Sequence, residues 1–264
     1  MTPAGALAVA APPRVRDRLR DTADGPVAIV HQGPQALYLD VGGWCVGVVS
    51  RAAARVPCAL RAAVDPLPGA LSYAGASARV EAGTLHVGGR PLAIGRLEGT
   101  CVPRLALDVL LRTGASPFPG AASRGAATVA AFAAAHLPRH GIDADVAAHL
   151  IGRGEGLTPL GDDLLAGWLA LHRAAGVATT EVDDVVRSHA PRTTLLSATL
   201  LDCAVRGEVL PEFASWVGAL GGRDVPARAA ALTAVGATSG AGLLHGAHLA
   251  LTRLHIERLE VAPT

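Results

Sequence analysis

The stretch that most constrains the fold covers residues 152–167 and reads GRGEGLTPLGDDLLAG. Its first half alternates glycine with other residues, which is typical of an irregular loop. Thr158 and Pro159 then predict a helix start, because threonine can cap exposed amides and proline fits the first helical position. The apolar run that follows predicts the helix itself. The segment is therefore interpreted as a glycine loop that leads directly into a helix N-terminus.

Outward from this loop, the two halves of the chain differ in character. Downstream of Pro103 the pattern is helical, as in RLALDVLL (104–111), DDLLAGWLALHRAA (162–175) and GLLHGAHLALTRLHIERL (242–259). Upstream, short alternating runs separated by glycine predict antiparallel strands: VAIVH (27–31), ALYLDV (36–41), WCVGVV (44–49), SARVEA (77–82), TLHVGG (84–89) and PLAIGRL (91–97). We therefore predict an α+β protein with a flexible N-terminus (1–24), a small antiparallel β domain (25–101) and a larger all-helical domain (102–264) packed against it.

The composition excludes several classes of protein. All 23 residues counted as Lys+Arg are arginine, because the sequence contains no lysine. A P-loop nucleotide site and a pyridoxal phosphate (PLP) enzyme both need a lysine, so both are excluded, and any other cofactor is unknown. A formal net charge of +1 offers no basic surface for nucleic acid.

The expected location is cytoplasmic. Apolar runs end before the ~20 residues that a membrane span needs, so no membrane partner is expected. The N-terminus lacks the basic start of a secretory signal. The four cysteines, Cys45, Cys58, Cys101 and Cys203, are scattered and are typical of buried thiols in a reducing compartment.

The glycine loop is the main candidate site. A helix start presents amide N–H groups that can hold a phosphate or carboxylate. Asp162 and Asp163 lie in the first turn, roughly 100° apart around the helix, so one can face a ligand while the other braces the loop. Their carboxylates can accept hydrogen bonds from a substrate amide or guanidinium, or hold a divalent cation. The same pattern also fits a tight turn whose aspartates complement the helix dipole.

Two further segments can contribute to this site. Residues 236–242, GATSGAG, begin a long helix that Thr238 or Ser239 can cap, and we expect this helix start to share a crevice with the one near Thr158. Residues 192–197 open another helix, and Arg192 and Arg206 are candidates for contacts to an anion. Arginine also commonly stays solvated on a helical surface.

A metal site is not predicted. His245, His248 and His255 recur on one face of the last helix, but only the first two are close enough to share an ion, and no carboxylate lies at the next turn on that face. A nucleophilic site is not supported either, because there is no Gly-x-Ser-x-Gly motif and Cys203 lies within an apolar helical run.

Three segments together resemble the AllH-like family: GRGEGLTPLGDDLLAG (152–167), PRTTLLSATLLDCAVRGE (191–208) and VGATSGAGLLHG (235–246). The resemblance extends over the helical half and more loosely over the strands from Ala36 to Val56. The family's usual loop has proline where this chain has Glu155, and serine where it has Leu160. Family members commonly carry aspartate at the position of Gly242.

The resemblance implies a subunit of an oxamate carbamoyltransferase of allantoin breakdown, a branch of purine catabolism. Such an enzyme exchanges a carbamoyl group between oxalurate plus phosphate and oxamate plus carbamoyl phosphate. The implied partners are a small anionic metabolite and other subunits of the complex. We assign catalytic roles to Asp162, Asp163 and Arg192, and expect the ligand to contact a larger set: Gly154, Gly156, Thr158, Gly161, Thr194, Thr238, Ser239 and Gly240. Two alternatives stay open, namely a non-catalytic metabolite-binding subunit and a stand-alone amide hydrolase or lyase whose activity changed with the aspartate replaced by Gly242.

Overall fold

The computed structural model describes residues 5–72, 75–105, 125–138 and 141–261. Its Cα positions divide the chain into two compact units, residues 1–100 and 101–264. The strands lie in the first unit, and the described helices of residues 125–261 lie in the second. The chain is thus a mixed α and β protein with its sheet in the N-terminal half and its helices in the C-terminal half.

The N-terminal unit contains nine strands and two short helices among its described residues. The strands are β1 (Leu7–Ala11), β2 (Gly25–Pro26), β3 (Ala28–Gln32), β4 (Ala36–Asp40), β5 (Cys45–Val49), β6 (Ala59–Ala62), β7 (Ala78–Glu81), β8 (Thr84–Val87) and β9 (Arg90–Leu97). The helices are α1 (Pro13–Asp21) and α2 (Gly69–Ser72). All six strand segments predicted from alternation are present.

The sheet is nearly closed on itself. Its order is β2-β7-β8-β9-β1-β6-β5-β4-β3, so the first and last strands of the order are β2 and β3. Only Val27 separates these two strands along the chain, and its amide still donates to Ala78 O at 3.0 Å. The two edges of the sheet are therefore one residue apart, which is the geometry of a barrel rather than of an open sheet.

Two features of this unit differ from the prediction. The sheet is mixed, because β1 pairs with β9 and β5 pairs with β6 in parallel. The prediction of an entirely antiparallel sheet was wrong, since local alternation does not report the direction of a distant partner strand. The expected flexible N-terminus is also wrong for residues 7–21, because β1 lies in the middle of the sheet and α1 buries Val15 and Leu19.

The described helices of the second unit begin after residue 125. They are α3 (Ala126–His136), α4 (Ala144–Leu150), α5 (Leu160–Ala175), α6 (Thr180–His189), α7 (Leu195–Val205), α8 (Pro211–Ala219), α9 (Val225–Thr233) and α10 (Ser239–Val261), with a 3-10 turn at Ala190–Arg192. Most of the helix predicted at 104–111 lies outside the described residues. Within the described residues, no helix is both long enough and apolar enough to cross a membrane.

The helices α5 and α10 cross at very short range. A Cβ added at Gly167 of α5 would overlap the carbonyl of Leu243, and one added at Gly246 of α10 would overlap the carbonyl of Leu164. Each helix therefore presents a glycine to the backbone of the other. Nearly all of α5 is buried, including both of its N-terminal aspartates. This crossing fixes the start of α5 against the start of α10.

Candidate functional site

Three helix starts meet around the glycine loop. The hydroxyl of Thr158, just before α5, lies 2.9 Å from the hydroxyl of Ser239 at the start of α10. The hydroxyl of Thr194, just before α7, donates to Leu157 O at 2.6 Å. We call this meeting point the helix junction. It agrees with the expectation that the loops near Thr158 and Ser239 come together, and it adds the start of α7.

Asp162 holds the helix junction together. Its Oδ1 accepts the amide of Gly152 at 2.8 Å, while its Oδ2 accepts the hydroxyls of Thr193 and Ser197, the latter at 2.7 Å. Burial raises the pKa of Asp162, and these three hydrogen bonds oppose the increase because they favour the charged carboxylate. With both oxygens occupied, Asp162 braces the loop, which is one of the two roles left open by the sequence.

Asp163 differs from Asp162 because one of its carboxylate oxygens lacks a hydrogen-bond partner among the described residues. Its Oδ2 is buried and accepts no hydrogen bond from any described residue. Burial raises the pKa of Asp163 to about 8, and the negative charge of Asp162 adds to the increase. The hydroxyls of Ser239 and Thr158 act in the opposite direction. At neutral pH the side chain is therefore mainly a neutral carboxylic acid, and it is the polar group at the helix junction that is best suited to meet a ligand.

The glycines of the predicted site mainly serve close packing. A Cβ at Gly152 would overlap the carbonyl of Arg192, one at Gly161 that of Leu150, and one at Gly240 that of Leu232. Gly154 has a φ of +117° and a Cβ there would lie 2.6 Å from the amide nitrogen of Leu160. Gly156, with a φ of +92°, has nothing within 4 Å of a Cβ position, so it alone of these five needs glycine purely for its backbone angle.

Three amides at the start of α5 are already in use. Gly161 N donates to Arg153 O at 2.8 Å, and the amides of Asp162 and Asp163 both donate to Pro159 O. At the start of α10, Gly240 N likewise donates to a backbone carbonyl. An anion held by these amides, as the sequence predicted, would have to replace bonds that the fold already makes.

Thr158 does not cap α5. The capping position belongs to Pro159, which makes no side-chain hydrogen bond, while the Thr158 hydroxyl lies against the hydroxyl of Ser239. Thr194 does act as a cap, since its hydroxyl accepts the amide of Ser197 at 3.1 Å. Thr238 contributes its carbonyl, which accepts the amide of Gly242 at 2.8 Å.

The candidate arginines lie at different places. Arg192 is exposed and donates through Nη1 to Ala148 O at 2.9 Å, near the end of α4. Arg153 donates to His149 O in the same turn of α4, at 3.1 Å. Arg206 is exposed and lies 3.6 Å from the carboxylate of Asp202 one helical turn before it. Arg192 and Arg153 thus share a surface beside the glycine loop. Arg206 instead forms an ion pair with Asp202 of α7.

Gly242 faces Asp163 directly. A Cβ at this position would lie 2.9 Å from the Cβ of Asp163 and 2.9 Å from Cδ1 of Leu160. The position at which AllH-like proteins commonly carry aspartate is therefore next to Asp163. In this chain the present packing of α5 against α10 has room only for glycine there.

The sequence did not indicate a cavity of about 530 Å³ in the helical unit. Trp168 and His172 of α5 line it together with Thr179, and the Nδ1 of His172 is 2.8 Å from Trp168 O. None of the predicted site residues lines it. No motif marks this cavity, because its walls come from segments far apart in sequence.

Metal-ligand chemistry has little support. Across the described ranges, no three side chains of His, Cys, Asp or Glu are grouped to hold an ion. Burial lowers the pKa of both His245 and His248.

Comparisons with known proteins add one match. No curated protein and no solved structure matches the chain. A family model matches over residues 150–251, which is less than half of the chain and less than the resemblance over the whole helical half. That range contains every residue of the helix junction, from Gly152 to Ser239. The part of the chain that builds the helix junction is thus similar to the family described as oxamate carbamoyltransferase subunit AllH.

Proposed function

We propose that this chain is a subunit of a carbamoyltransferase and that its helix junction binds the carbamoyl group of a small anionic substrate. The observation that carries the proposal is the buried Oδ2 of Asp163, which accepts no hydrogen bond within the described protein. A buried polar atom without a partner is costly, so a site that keeps one is suited to a ligand. The family match over the same residues supports the choice of reaction.

The chemistry of Asp163 suits a carbamoyl group. That group offers a carbonyl oxygen and an amide NH₂ on the same carbon, which are an acceptor and a donor side by side. A protonated carboxyl offers the matching O–H donor and carbonyl acceptor. Because the pKa of Asp163 is raised to about 8, the protonated form prevails at neutral pH.

The same carboxyl can assist transfer. When an oxygen of hydrogenphosphate attacks the carbamoyl carbon of oxalurate, negative charge develops on the carbamoyl oxygen. The C–N bond then breaks, and oxamate leaves with the proton that the phosphate has lost on its nitrogen, so that carbamoyl phosphate remains. An O–H donor already held in a dry environment stabilises this charge without bringing a full charge of its own. The hydroxyls of Thr158 and Ser239 also contact the carboxyl, and both residues are only partly buried. Arg192 and Arg153 supply countercharge for the anionic end of the substrate.

The substrates in this proposal are oxamate, oxalurate, phosphate and carbamoyl phosphate. They should raise the melting temperature of the chain, since a ligand that binds only the folded state stabilises it by about 2.7 kcal/mol at a hundred times its Kd. Neutral sugars and nucleosides should not. Asp163→Ala and Arg192→Ala should each weaken binding by at least about tenfold, while Asp184→Ala, which removes an exposed carboxylate on α6, should leave it unchanged.

Retained affinity in both the Asp163 and Arg192 variants would contradict the proposed site. A screen in which only neutral or cationic compounds stabilise the protein would contradict the function as well. The phosphate-dependent breakdown of oxalurate then tests the reaction. Hydrolysis of an amide without phosphate would instead support the stand-alone hydrolase.

A non-catalytic, metabolite-binding subunit is the second candidate, and one observation favours it. Leu157, at the end of the glycine loop, is 41% exposed although it is a large apolar residue. In this candidate role, Leu157 packs against a partner subunit. Copurification with partner chains that Leu157→Ser abolishes, together with no turnover by the isolated chain, would identify this role.

A further inference from the structure

A row of side chains crosses three strands of the N-terminal unit. Ala10 of β1 pairs with Arg61 of β6 on one side and with Arg96 of β9 on the other. Residues that are paired on neighbouring strands project to the same face of a sheet. Two arginines therefore flank a small alanine, with their Cα atoms roughly 10 Å apart across two strand spacings.

The register of β9 changes at this row. Val9 pairs with Ile94, but the next residue, Ala10, pairs with Arg96, so Gly95 is an extra residue in β9. Such a bulge turns the side chain that follows it and is common next to binding sites. In this unit the bulge is what brings Arg96 into line with Arg61.

A cavity of about 370 Å³ lies at the same place. Its lining combines three arginines with small apolar residues, and it is formed by Ala8, Val9, Ala10, Arg51, Arg61, Ala62, Ala63, Gly95 and Arg96. All of these residues belong to the N-terminal unit. The size falls within the range of cavities that hold small organic ligands.

The charges around this cavity do not balance. Glu98 accepts both guanidinium groups on one oxygen: Arg61 Nη1 lies 3.3 Å from Oε1, and Arg96 Nη2 contacts the same atom. Arg51 is exposed, and its side chain makes no hydrogen bond or ion pair with any residue that the structure describes. Among Glu98 and the residues that line the cavity, three guanidinium groups thus stand against one carboxylate.

We propose that this cavity is a binding site for a small organic dianion. The carboxylate or phosphate oxygens of the ligand pair with Arg51, Arg61 and Arg96, because guanidinium groups favour partners with two oxygens. The carbon skeleton packs on the alanines of β1 and β6. Glu98 already occupies one anion position between two arginines, so it marks that position and competes with the ligand for it.

Titration calorimetry on the full chain tests the site with three probes: succinate, inorganic phosphate and acetate. Binding of succinate identifies a dicarboxylate ligand, and binding of phosphate identifies a phosphorylated one. Acetate, with a single charge, should bind at least about tenfold more weakly than the better dianion. The proposal is overturned if neither dianion binds below about 10 mM, or if acetate binds equally well.

Three variants locate the binding. Arg51→Ala should weaken it by about tenfold or more, and Glu98→Gln should strengthen it severalfold by releasing Arg61 and Arg96. Arg79→Ala is the matched control, since Arg79 is an exposed arginine on β7 that lies outside this cavity and 3.8 Å from Glu81. Equal losses in the Arg51 and Arg79 variants would mean that only the general positive field attracts the anion, which would overturn the proposal.

The variant Arg192→Ala distinguishes dianion binding in this cavity from binding at the helix junction. Dianion binding that survives in Arg192→Ala and disappears in Arg51→Ala belongs to the N-terminal cavity. The reverse result assigns the binding to the helix junction and overturns the present inference while leaving the proposed function intact. Since Arg51 is exposed, its truncation should leave the melting temperature unchanged, so lost binding is not lost folding.

Discussion

Replacing Asp163 by asparagine should change how stability depends on pH. Asparagine resembles the protonated carboxyl in shape and is neutral at every pH. The pKa of Asp163 is about 8 in the folded chain, against about 3.9 for an unfolded aspartate. Below pH 4 the carboxyl is protonated in both states. As pH rises from about 4 to 8 the unfolded state loses its proton first, so the wild-type protein loses stability across this window.

The size of the effect follows from the same two pKa values. Each pH unit within the window costs about 1.4 kcal/mol, so the upper limit across it is on the order of 5 kcal/mol. Local relaxation around Asp163 will reduce this value. The asparagine variant should therefore match the wild type near pH 4 and exceed its free energy of unfolding by several kcal/mol above pH 8.

Urea denaturation followed by far-UV circular dichroism, at pH values from about 4 to 9, provides the measurement. The quantity to compare is the difference in free energy of unfolding between variant and wild type at each pH, because the contributions of all other titrating groups cancel in this difference. Asp184→Asn, in an exposed position on α6, serves as the control and should give a flat difference. A flat difference for Asp163→Asn as well would refute the raised pKa and with it the neutral carboxyl at the helix junction.

Three further changes test the packing of the helical unit. Asp162→Asn should cost roughly 2–4 kcal/mol in chemical denaturation, because an amide cannot accept all three hydrogen bonds that this carboxylate accepts. Gly246→Ala should cost about 2 kcal/mol or more, since its Cβ would overlap a backbone carbonyl of α5, whereas Gly218→Ala, with only an ordinary 3.8 Å contact, should be neutral or slightly stabilising. Thr158→Val removes a hydroxyl that lies 2.9 Å from another and should lower stability by about 1 kcal/mol in a thermal melt. Unchanged stability in any of these variants would contradict the corresponding contact.

Local signals in the sequence were enough to place the main elements of the site. Thr158 and Pro159 predicted the start of α5, which begins at Leu160, and residues 236–242 predicted the start of α10, which begins at Ser239. These signals work because backbone geometry at a helix start restricts which residues fit there. The strands of residues 28–97 that alternate in polarity were found for a similar reason.

Other features depend on contacts that no local pattern contains. The segment LAVAA at 7–11 lacks polar alternation because Val9, Ala10 and Ala11 are all buried, so side chains on both faces of β1 are apolar and the pattern of a half-exposed strand is absent. The different roles of Asp162 and Asp163 follow from Thr193, Ser197 and the amide of Gly152, which approach only one of the two. Helix periodicity places the aspartates on different faces but does not tell which face meets which partner.

The central position of β1 has a consequence for how the chain folds during synthesis. This strand leaves the ribosome well before its two neighbours, which are β6 at residues 59–62 and β9 at residues 90–97. The loops that these pairings close are long, and such non-local pairing slows folding. The N-terminal sheet therefore cannot complete itself until Leu97 has emerged, and during that interval β1 is an apolar segment that a chaperone can bind.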